Sequence, residues 1–261
     1  MQTYLESVRK NVILVLKLGL TQVPVYLMTV LGIIFFWDSS YLIYTLIGYL
    51  LFGLSLEITH HRYYSHGSFT CSRPVEYFML TCAVFAGCGG PLYYAGLHRT
   101  HHKYSDTDKD THQPTDHPFL SFLHCDATRN NIDWKSVVND LVVRSDLMFL
   151  HKNYNYIYFG IIALMALISI KFTLFFFILP AILIIWVTGL VNVINHKYGY
   201  RTFDTPDKST NNLWLNLITF GGALHHNHHY KPYSHTTKVK WFELDLCGWI
   251  IKHLLAKTVK E

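Results

Sequence analysis

Histidine is frequent in this chain and falls in groups. The 261 residues include 17 histidines, and the groups are HRYYSH at residues 61–66, HRTHH at 98–102, a single His196 and HHNHH at 225–229. Neutral imidazole is the commonest metal ligand among side chains. The last group has three interpretations, namely a solvated polar patch, an accidental run, or part of a metal site completed by residues elsewhere.

The spacing of these histidines suits helices. On an α-helix, HxxHH sets its imidazoles at about 0°, −60° and +40°, so that one face offers all three. His61 and His66 are separated by i, i+5 and diverge by about 140° on such a helix. That separation suits a fraying helix end or ligands for two different ions.

The number of candidate ligands favours two metal ions. One zinc takes at most four protein ligands, whereas two metals with four or five nitrogens each would use the set. Imidazole suits iron, copper, zinc and nickel, so the nitrogen count leaves the metal open. The paired Glu-x-x-His motifs of soluble di-iron bundles do not occur in the chain. The candidates are His61, His66, His98, His101, His102, His196, His225, His228 and His229.

Apolar runs must position these histidines. The chain is 51% hydrophobic and 15% charged, with a mean hydropathy of +0.19, which favours a membrane protein. Crossings are predicted at about residues 20–37, 41–58, 156–170 and 172–195, and the first can extend back toward Val12. They pair into two hairpins that turn at WDSSY (residues 37–41) and at Lys171.

Residues 75–97 are also apolar, but a crossing there would strand two histidine groups on opposite sides of the bilayer. Gly87, Gly89, Gly90 and Pro91 interrupt the run, so an interfacial or re-entrant segment is predicted, with a plain fifth crossing as the alternative. Nearly all Lys and Arg then lie with both termini, which makes that side cytoplasmic.

The predicted fold is an all-α membrane protein. Four transmembrane helices in two hairpins carry a cytoplasmic helical cap, residues 59–155 and 196–261, which holds a histidine-rich dimetal site. Residues 1–261 form one domain, and the N-terminal run has no small-residue cleavage site and is interpreted as a retained membrane segment. The five cysteines suggest neither disulfides nor a thiolate zinc site, and the net charge of +5 accompanies no nucleic-acid-binding motif.

These features together resemble the membrane fatty acid desaturases, of the stearoyl or acyl Δ9 type. That family carries HxxxxH, HxxHH and HxxHH boxes, with a further histidine after the last crossing. The resemblance extends from about residue 54 to residue 246, and the stretches that carry it are HRYYSHGSF, LHRTHHKYSDTDKDTHQP, NVINHKYGYRTFD and FGGALHHNHHY.

The resemblance implies a multi-pass protein of the bacterial inner membrane or endoplasmic reticulum, surrounded by membrane lipid. A cytoplasm-facing di-iron centre would use O2 to introduce a cis double bond, most commonly Δ9, into a long saturated acyl chain. The nine histidines would be the ligands, with Asn192 reaching one iron through a water and no separate catalytic residue. The acyl carrier would be CoA, a lipid or a carrier protein, and electrons would come from a ferredoxin or cytochrome b5.

Three segments of the chain depart from the family pattern. Gly222 stands where the last box commonly has glutamate, which removes a carboxylate that supports the ligands. Gly96 and Leu97 stand where acyl-CoA enzymes of the animal type have Arg-Asp, and Gly189 replaces a tryptophan. We expect weaker CoA contacts and, at a tunnel wall widened by Gly189, looser control of the double-bond position.

Several other side chains have two interpretations. Glu57, one turn before His61, either orients that imidazole or pairs elsewhere, and Asp106, Asp108 and Asp110 either orient ligands or are solvated. His60 and His226 point away from the boxes and are not expected to bind metal. Ordinary surface roles are expected for His112, His117, His124, His151, His235 and His253.

Two other functions remain open at this point. A lipid hydroxylase would share the di-iron site and differ in its product. A non-catalytic membrane protein that transports metal or binds heme would place its histidines on crossing helices near the bilayer midplane. The predicted positions at helix ends and in polar segments favour the enzyme.

Overall fold

Long helices dominate the computed structural model, which describes residues 22–112, 118–122 and 132–261. The expectations for residues 1–21, His117, His124 and Cys125 lie outside these residues. The α-helices are α1 (Gln22–Phe36), α2 (Leu42–Ser55), α3 (Arg73–Val84), α4 (Pro91–Tyr104), α5 (Pro118–Phe122), α6 (Trp134–Val137), α7 (Asn139–Val142), α8 (Ser145–Ile168), α9 (Ile170–Thr173), α10 (Leu179–Ile194), α11 (Leu213–Thr219), α12 (His225–Tyr230) and α13 (Leu246–Ile250).

Two continuous helical stretches are long and apolar enough to cross a membrane. One is Ser39–Ser65, which joins a 3-10 turn (Ser39–Tyr41), α2 and a π-helix (Leu56–Ser65), and the other is Ile170–Ile194. The second joins α9, a π-helix (Leu174–Ile178) and α10. A further π-helix, Ile251–Leu255, follows α13.

The remaining two predicted crossings correspond to helices with other bounds. The part of the first that the structure describes is α1, a shorter apolar helix. The other lies within α8, which begins at Ser145 rather than near residue 156. No Gly or Pro interrupts residues 145–159, so the helix continues through a polar stretch at which hydropathy alone would end it.

The two predicted hairpin turns lie side by side. Asp38 caps the turn after α1 by accepting a hydrogen bond from the Ser40 backbone N–H. The second turn is at Ser169, not Lys171, because extended backbone at Ser169 separates α8 from α9, and Lys171 lies inside α9. Lys171 Nζ is 2.8 Å from Asp38 Oδ2, so this ion pair joins the turns at the same end of the helices.

Residues 75–97 do not form one straight helix. α3 ends at Val84 and α4 begins at Pro91, with Gly87 (φ 76°) and Gly89 (φ 85°) in the turn between them. Left-handed backbone of this kind favours glycine. The glycines that argued against a straight crossing therefore lie in the turn that separates the two helices.

The core between the long helices is largely aromatic. Phe52 packs against Phe85, Phe176 and Phe177 with ring centroids 5.4–5.8 Å apart. The mostly helical fold agrees with the prediction, and one short pair of strands accompanies the helices. Strands β1 (Phe69–Thr70) and β2 (Thr258–Val259) pair antiparallel and attach the end of the chain next to the first histidine box.

Candidate metal centre

The first histidine box is wound as a π-helix. His61 lies within Leu56–Ser65 and His66 caps its end. The i→i+5 hydrogen bonding of a π-helix stacks residues five apart, whereas an α-helix would separate them widely. The structure accordingly brings His61 and His66 into one cluster at a helix end, which agrees with the first alternative and not with ligands for two different ions.

The nine predicted imidazoles lie in two clusters. Within each cluster, ring nitrogens lie within 4.8 Å of one another. The five-imidazole cluster contains His61, His66, His98, His102 and His228, and the four-imidazole cluster contains His101, His196, His225 and His229.

The second and third boxes each contribute to both clusters. In α4, His98 and His102 are one turn apart and join the first cluster, while His101 joins the second. In α12, His228 faces the first cluster and His225 and His229 face the second. Each HxxHH box therefore supplies imidazoles to both clusters, and α4 and α12 lie between the two clusters.

Carboxylates contact the outer nitrogens of several imidazoles. His61 Nδ1 is 2.8 Å from Glu57 Oε1, and His101 Nδ1 is 2.8 Å from Asp110 Oδ1. Such contacts fix the orientation and tautomer of a ligating imidazole. The orienting interpretation of Glu57 and Asp110 agrees with these contacts.

The four-imidazole cluster has two further carboxylates. Asp106 Oδ1 is 3.0 Å from His196 Nδ1, and Asp207 Oδ2 is 3.5 Å from His229 Nδ1. Asp106 takes a left-handed backbone (φ 61°) and also accepts from the Lys208 N–H. Asp108 is exposed and is the solvated member of its group.

The inner Nε2 atoms approach one another closely. His228 Nε2 is 2.8 Å from both His61 Nε2 and His102 Nε2, and His196 Nε2 is 3.0 Å from His225 Nε2. An imidazole that donates Nδ1–H to a carboxylate presents only a lone pair at Nε2 when neutral. A cation bound among these converging Nε2 atoms would accept their lone pairs.

Burial favours the neutral form of five clustered imidazoles, whereas at His101 the contact with Asp110 outweighs burial and raises the pKa. Burial first, and then the neighbouring imidazoles, hold the pKa values of His98, His102, His225, His228 and His229 well below the usual range. Metal-ligating imidazole must be neutral.

The carboxylates behave in the opposite way. Burial would raise the pKa of Asp106, but its contacts with His196 lower it to about 2. Burial likewise raises the pKa of Asp110, but the contact with His101 lowers it by more, so that the net shift is downward. Both carboxylates are therefore charged near neutral pH.

Asn192 lines an apolar cavity beside the two clusters, and its Nδ2 is 3.4 Å from His112 Nδ1.

The expectation of a surface role is wrong for His112 and His235, which are buried, whereas His151 and His253 are exposed. Sequence reasoning missed His112 and Asp207. Their only signal was a position in the polar segments that follow the second box and His196.

His60 and His226 lie outside both clusters. His60 Nε2 is 3.2 Å from Gly89 O, and His226 Nε2 accepts a hydrogen bond from the Phe203 N–H at 3.0 Å. Their buried rings instead connect each box to an adjacent turn or loop.

An apolar cavity of about 350 Å³ ends at both clusters. His61 and His98 of the five-imidazole cluster and His225 of the other line it. Its walls come from α2, α10 and the α11–α12 connection, and the exposed residues His151, Lys152 and Asn155 lie at its rim. The apolar walls include Tyr49, Leu56, Ile184, Ile185, Val191 and Phe220.

At two of the positions that depart from the family pattern, other parts of the chain occupy the space beside the glycine. Gly189 is absent from the cavity wall, and a Cβ there would clash with the carbonyl of Phe122 in α5. The expectation that Gly189 widens a tunnel is therefore wrong. A Cβ at Gly96 would clash with the Trp134 ring, so α6 covers that surface.

Comparison with known proteins agrees with the geometry. The sequence profile described as fatty acid desaturase matches residues 37–260. The chain is 34% identical to an sn-1 stearoyl-lipid 9-desaturase of Anabaena variabilis over 78% of this chain and 75% of that protein. It is 30% identical to an icosanoyl-CoA 5-desaturase of Limnanthes douglasii over 85% of this chain and 64% of that protein.

A third relative is an sn-1 stearoyl-lipid 9-desaturase of Synechocystis, 31% identical over 87% of this chain and 73% of the relative. The histidine clusters, the apolar cavity and these matches lead to one conclusion. The chain belongs to the fatty acid desaturase family, oxidoreductases that act on acyl chains.

Proposed function

We propose that the two clusters hold two irons. The ligands are the nine clustered histidines, with Asn192 acting through a water on the four-imidazole cluster. The observation that carries this proposal is the convergence of Nε2 lone pairs in two groups at the end of one apolar cavity.

Charge also supports two divalent cations. The carboxylates that contact clustered imidazoles are Glu57, Asp106, Asp110 and Asp207. These carboxylates place negative charge beside the proposed ions, and Arg62 and Arg201 offset part of it at Glu57 and Asp207. A buried charge without such compensation would be costly.

The irons supply O2 activation for removal of two hydrogens from adjacent methylenes, with electrons delivered from outside. The chain's own residues hold the substrate and exclude water. Tyr49, Ile184 and Phe220 flank the cavity next to His61 and His225. Apolar walls of this kind fix an acyl chain near the metals and keep competing water out.

The product is a cis double bond in a long saturated chain, with Δ9 the position named for two relatives. We infer that the acyl group is carried by a lipid. Gly96 and Leu97 stand in place of the Arg-Asp pair typical of acyl-CoA enzymes of the animal type, and Trp134 covers Gly96. An acyl-CoA or acyl-carrier substrate is the alternative outcome of the test below.

The membrane arrangement has four crossings, in two hairpins, and a cytoplasmic cap that contains the site. The Asp38–Lys171 ion pair supports this proposal because it joins two turns that would both lie on the opposite face. Exposed Lys103, Lys109 and Lys208 lie near the four-imidazole cluster. Their charge would attract an acidic donor such as a ferredoxin or cytochrome b5.

The test is expression in a host without its own desaturase, followed by mass spectrometry of each lipid class and iron analysis of the purified protein. Unsaturated acyl-lipid and two irons per chain are expected. Hydroxylated lipid would favour a hydroxylase, unsaturation confined to acyl-CoA would overturn the lipid carrier, and active protein with no iron would overturn the di-iron centre.

A further inference from the structure

Glu57 is held in a fixed position between two side chains. Its Oε1 accepts from His61 Nδ1 at 2.8 Å and lies 3.3 Å from Arg62 Nε. Arg62 is buried and is itself held by Asp245, at 2.8 and 2.9 Å. The carboxylate of Glu57 therefore has one defined orientation, with its second oxygen directed elsewhere.

That second oxygen faces Gly222. A Cβ built at Gly222 would lie 3.3 Å from Glu57 Oε2 and 3.5 Å from Glu57 Cδ. Gly221 has a left-handed backbone (φ 119°) that requires glycine, but Gly222 does not. The same Cβ would lie 3.3 Å from Thr219 O, so a side chain longer than alanine at position 222 would be directed into the space that the Glu57 carboxylate occupies.

Position 222 is also where the resembling enzymes commonly carry glutamate. We propose that Glu57 is a positioning residue for His61, and that it supplies from the first-box helix the carboxylate that a glutamate at position 222 would supply from the loop before the last box. Gly222 leaves the room that Glu57 occupies. This inference deepens the proposed di-iron function and rests on it.

The contact gives Glu57 a definite task. By accepting the Nδ1 proton of His61, it leaves a lone pair on His61 Nε2, the atom that approaches His228 Nε2. Loss of such an outer partner lowers metal affinity by about 10–100-fold. A carboxylate that arrives from position 222 would restore the same tautomer.

The test is a cycle of Glu57→Ala, Gly222→Glu and the double variant in the full-length protein, measured as iron affinity against a chelator without substrate. Glu57→Ala should weaken affinity about 10–100-fold. Gly222→Glu alone should also weaken it, because two carboxylates are forced together. The double variant should recover most of that roughly 10–100-fold loss.

Two controls define the carboxylate. Glu57→Ala with Gly222→Gln has the matched shape without charge and should not recover affinity. Gly222→Ala adds the Cβ alone and should leave affinity nearly unchanged, which separates crowding from charge repulsion. A double variant no better than Glu57→Ala, or recovery with the glutamine, would overturn the proposal.

Thermal unfolding of the iron-free protein gives a second readout that does not depend on the proposed function. Gly222→Glu should lower the melting temperature in the parent and raise it in the Glu57→Ala background. If the parent binds no iron, the di-iron proposal fails, while this change of sign still decides whether the two positions share one site. Equal shifts in both backgrounds would overturn the sharing.

Discussion

The two histidine clusters use the same ligand in different surroundings. Among residues 22–112, 118–122 and 132–261, the five-imidazole cluster contacts one carboxylate, Glu57, while the four-imidazole cluster contacts Asp106, Asp110 and Asp207. The cluster with fewer nitrogens has more negative charge around it. Nitrogen number and outer charge therefore vary in opposite directions, and the clusters should lose iron for different reasons.

The largest effect should follow removal of an inner ligand of the five-imidazole cluster. His228 approaches His61 and His102 at 2.8 Å and His98 at 3.3 Å. His228→Ala should reduce desaturation more than about 100-fold, since loss of outer partners alone costs 10–100-fold. Iron should fall from two per chain toward one while the amount of protein in the membrane stays unchanged.

The matched control is His253→Ala, because that histidine is exposed and contacts Trp249 rather than a clustered imidazole. It should retain both irons and full activity. Retained activity in His228→Ala would remove His228 from the ligands.

A smaller loss is expected when an outer carboxylate of the four-imidazole cluster is neutralised. Asp110 is fully buried and accepts from His101 and from the backbone N–H groups of Asp106 and His112. Asp110→Asn should lower iron affinity of this cluster about 10–100-fold. Chelator titration should show one weakened iron, and Asp108→Asn, at an exposed position, should show none.

A weaker effect should come from Asp207. Its oxygen is 3.5 Å from His229 Nδ1, longer than the other carboxylate contacts. Asp207→Asn should lower iron affinity by less than the roughly 10–100-fold expected for loss of a close outer partner. An effect as large as that of Asp110→Asn would mean that charge, rather than a close hydrogen bond, stabilises this cluster.

The smallest effect on iron should come from the cavity that the clusters share. A Cβ at Gly53 would lie 3.0 Å from Phe220 Cε2, within the cavity wall. Gly53→Ala should leave both irons in place and shift the product toward shorter acyl chains, measured by lipid mass spectrometry. Loss of iron would show that the cavity wall and the clusters are not separable.

Much of this site follows from sequence because ligand spacing is local. The nine imidazoles, their division between two centres and the contacts of Glu57, Asp106 and Asp110 agree with the spacing and order of the boxes. The membership of each cluster could not be predicted, because it depends on π-winding at residues 56–65 and on the path of the chain past α4 and α12.

Long-range packing explains the remaining errors. The effect of Gly189 could not be predicted because α5, far away in sequence, covers it. The start of α8 and the turn at Ser169 were misplaced because hydropathy and charge mark neither a helix without breakers nor a single extended residue. His112 was misassigned because a lone histidine in a polar segment carries no signal of burial.

The close approach of His61 and His228 also has a consequence for synthesis of the chain. The two residues are 167 positions apart, and ribosomes add about 5–20 residues per second. Roughly ten to thirty seconds therefore pass between the synthesis of His61 and the synthesis of His228. During that interval the nascent first hairpin must keep its imidazoles from other metals, so iron loading belongs after the last box has emerged.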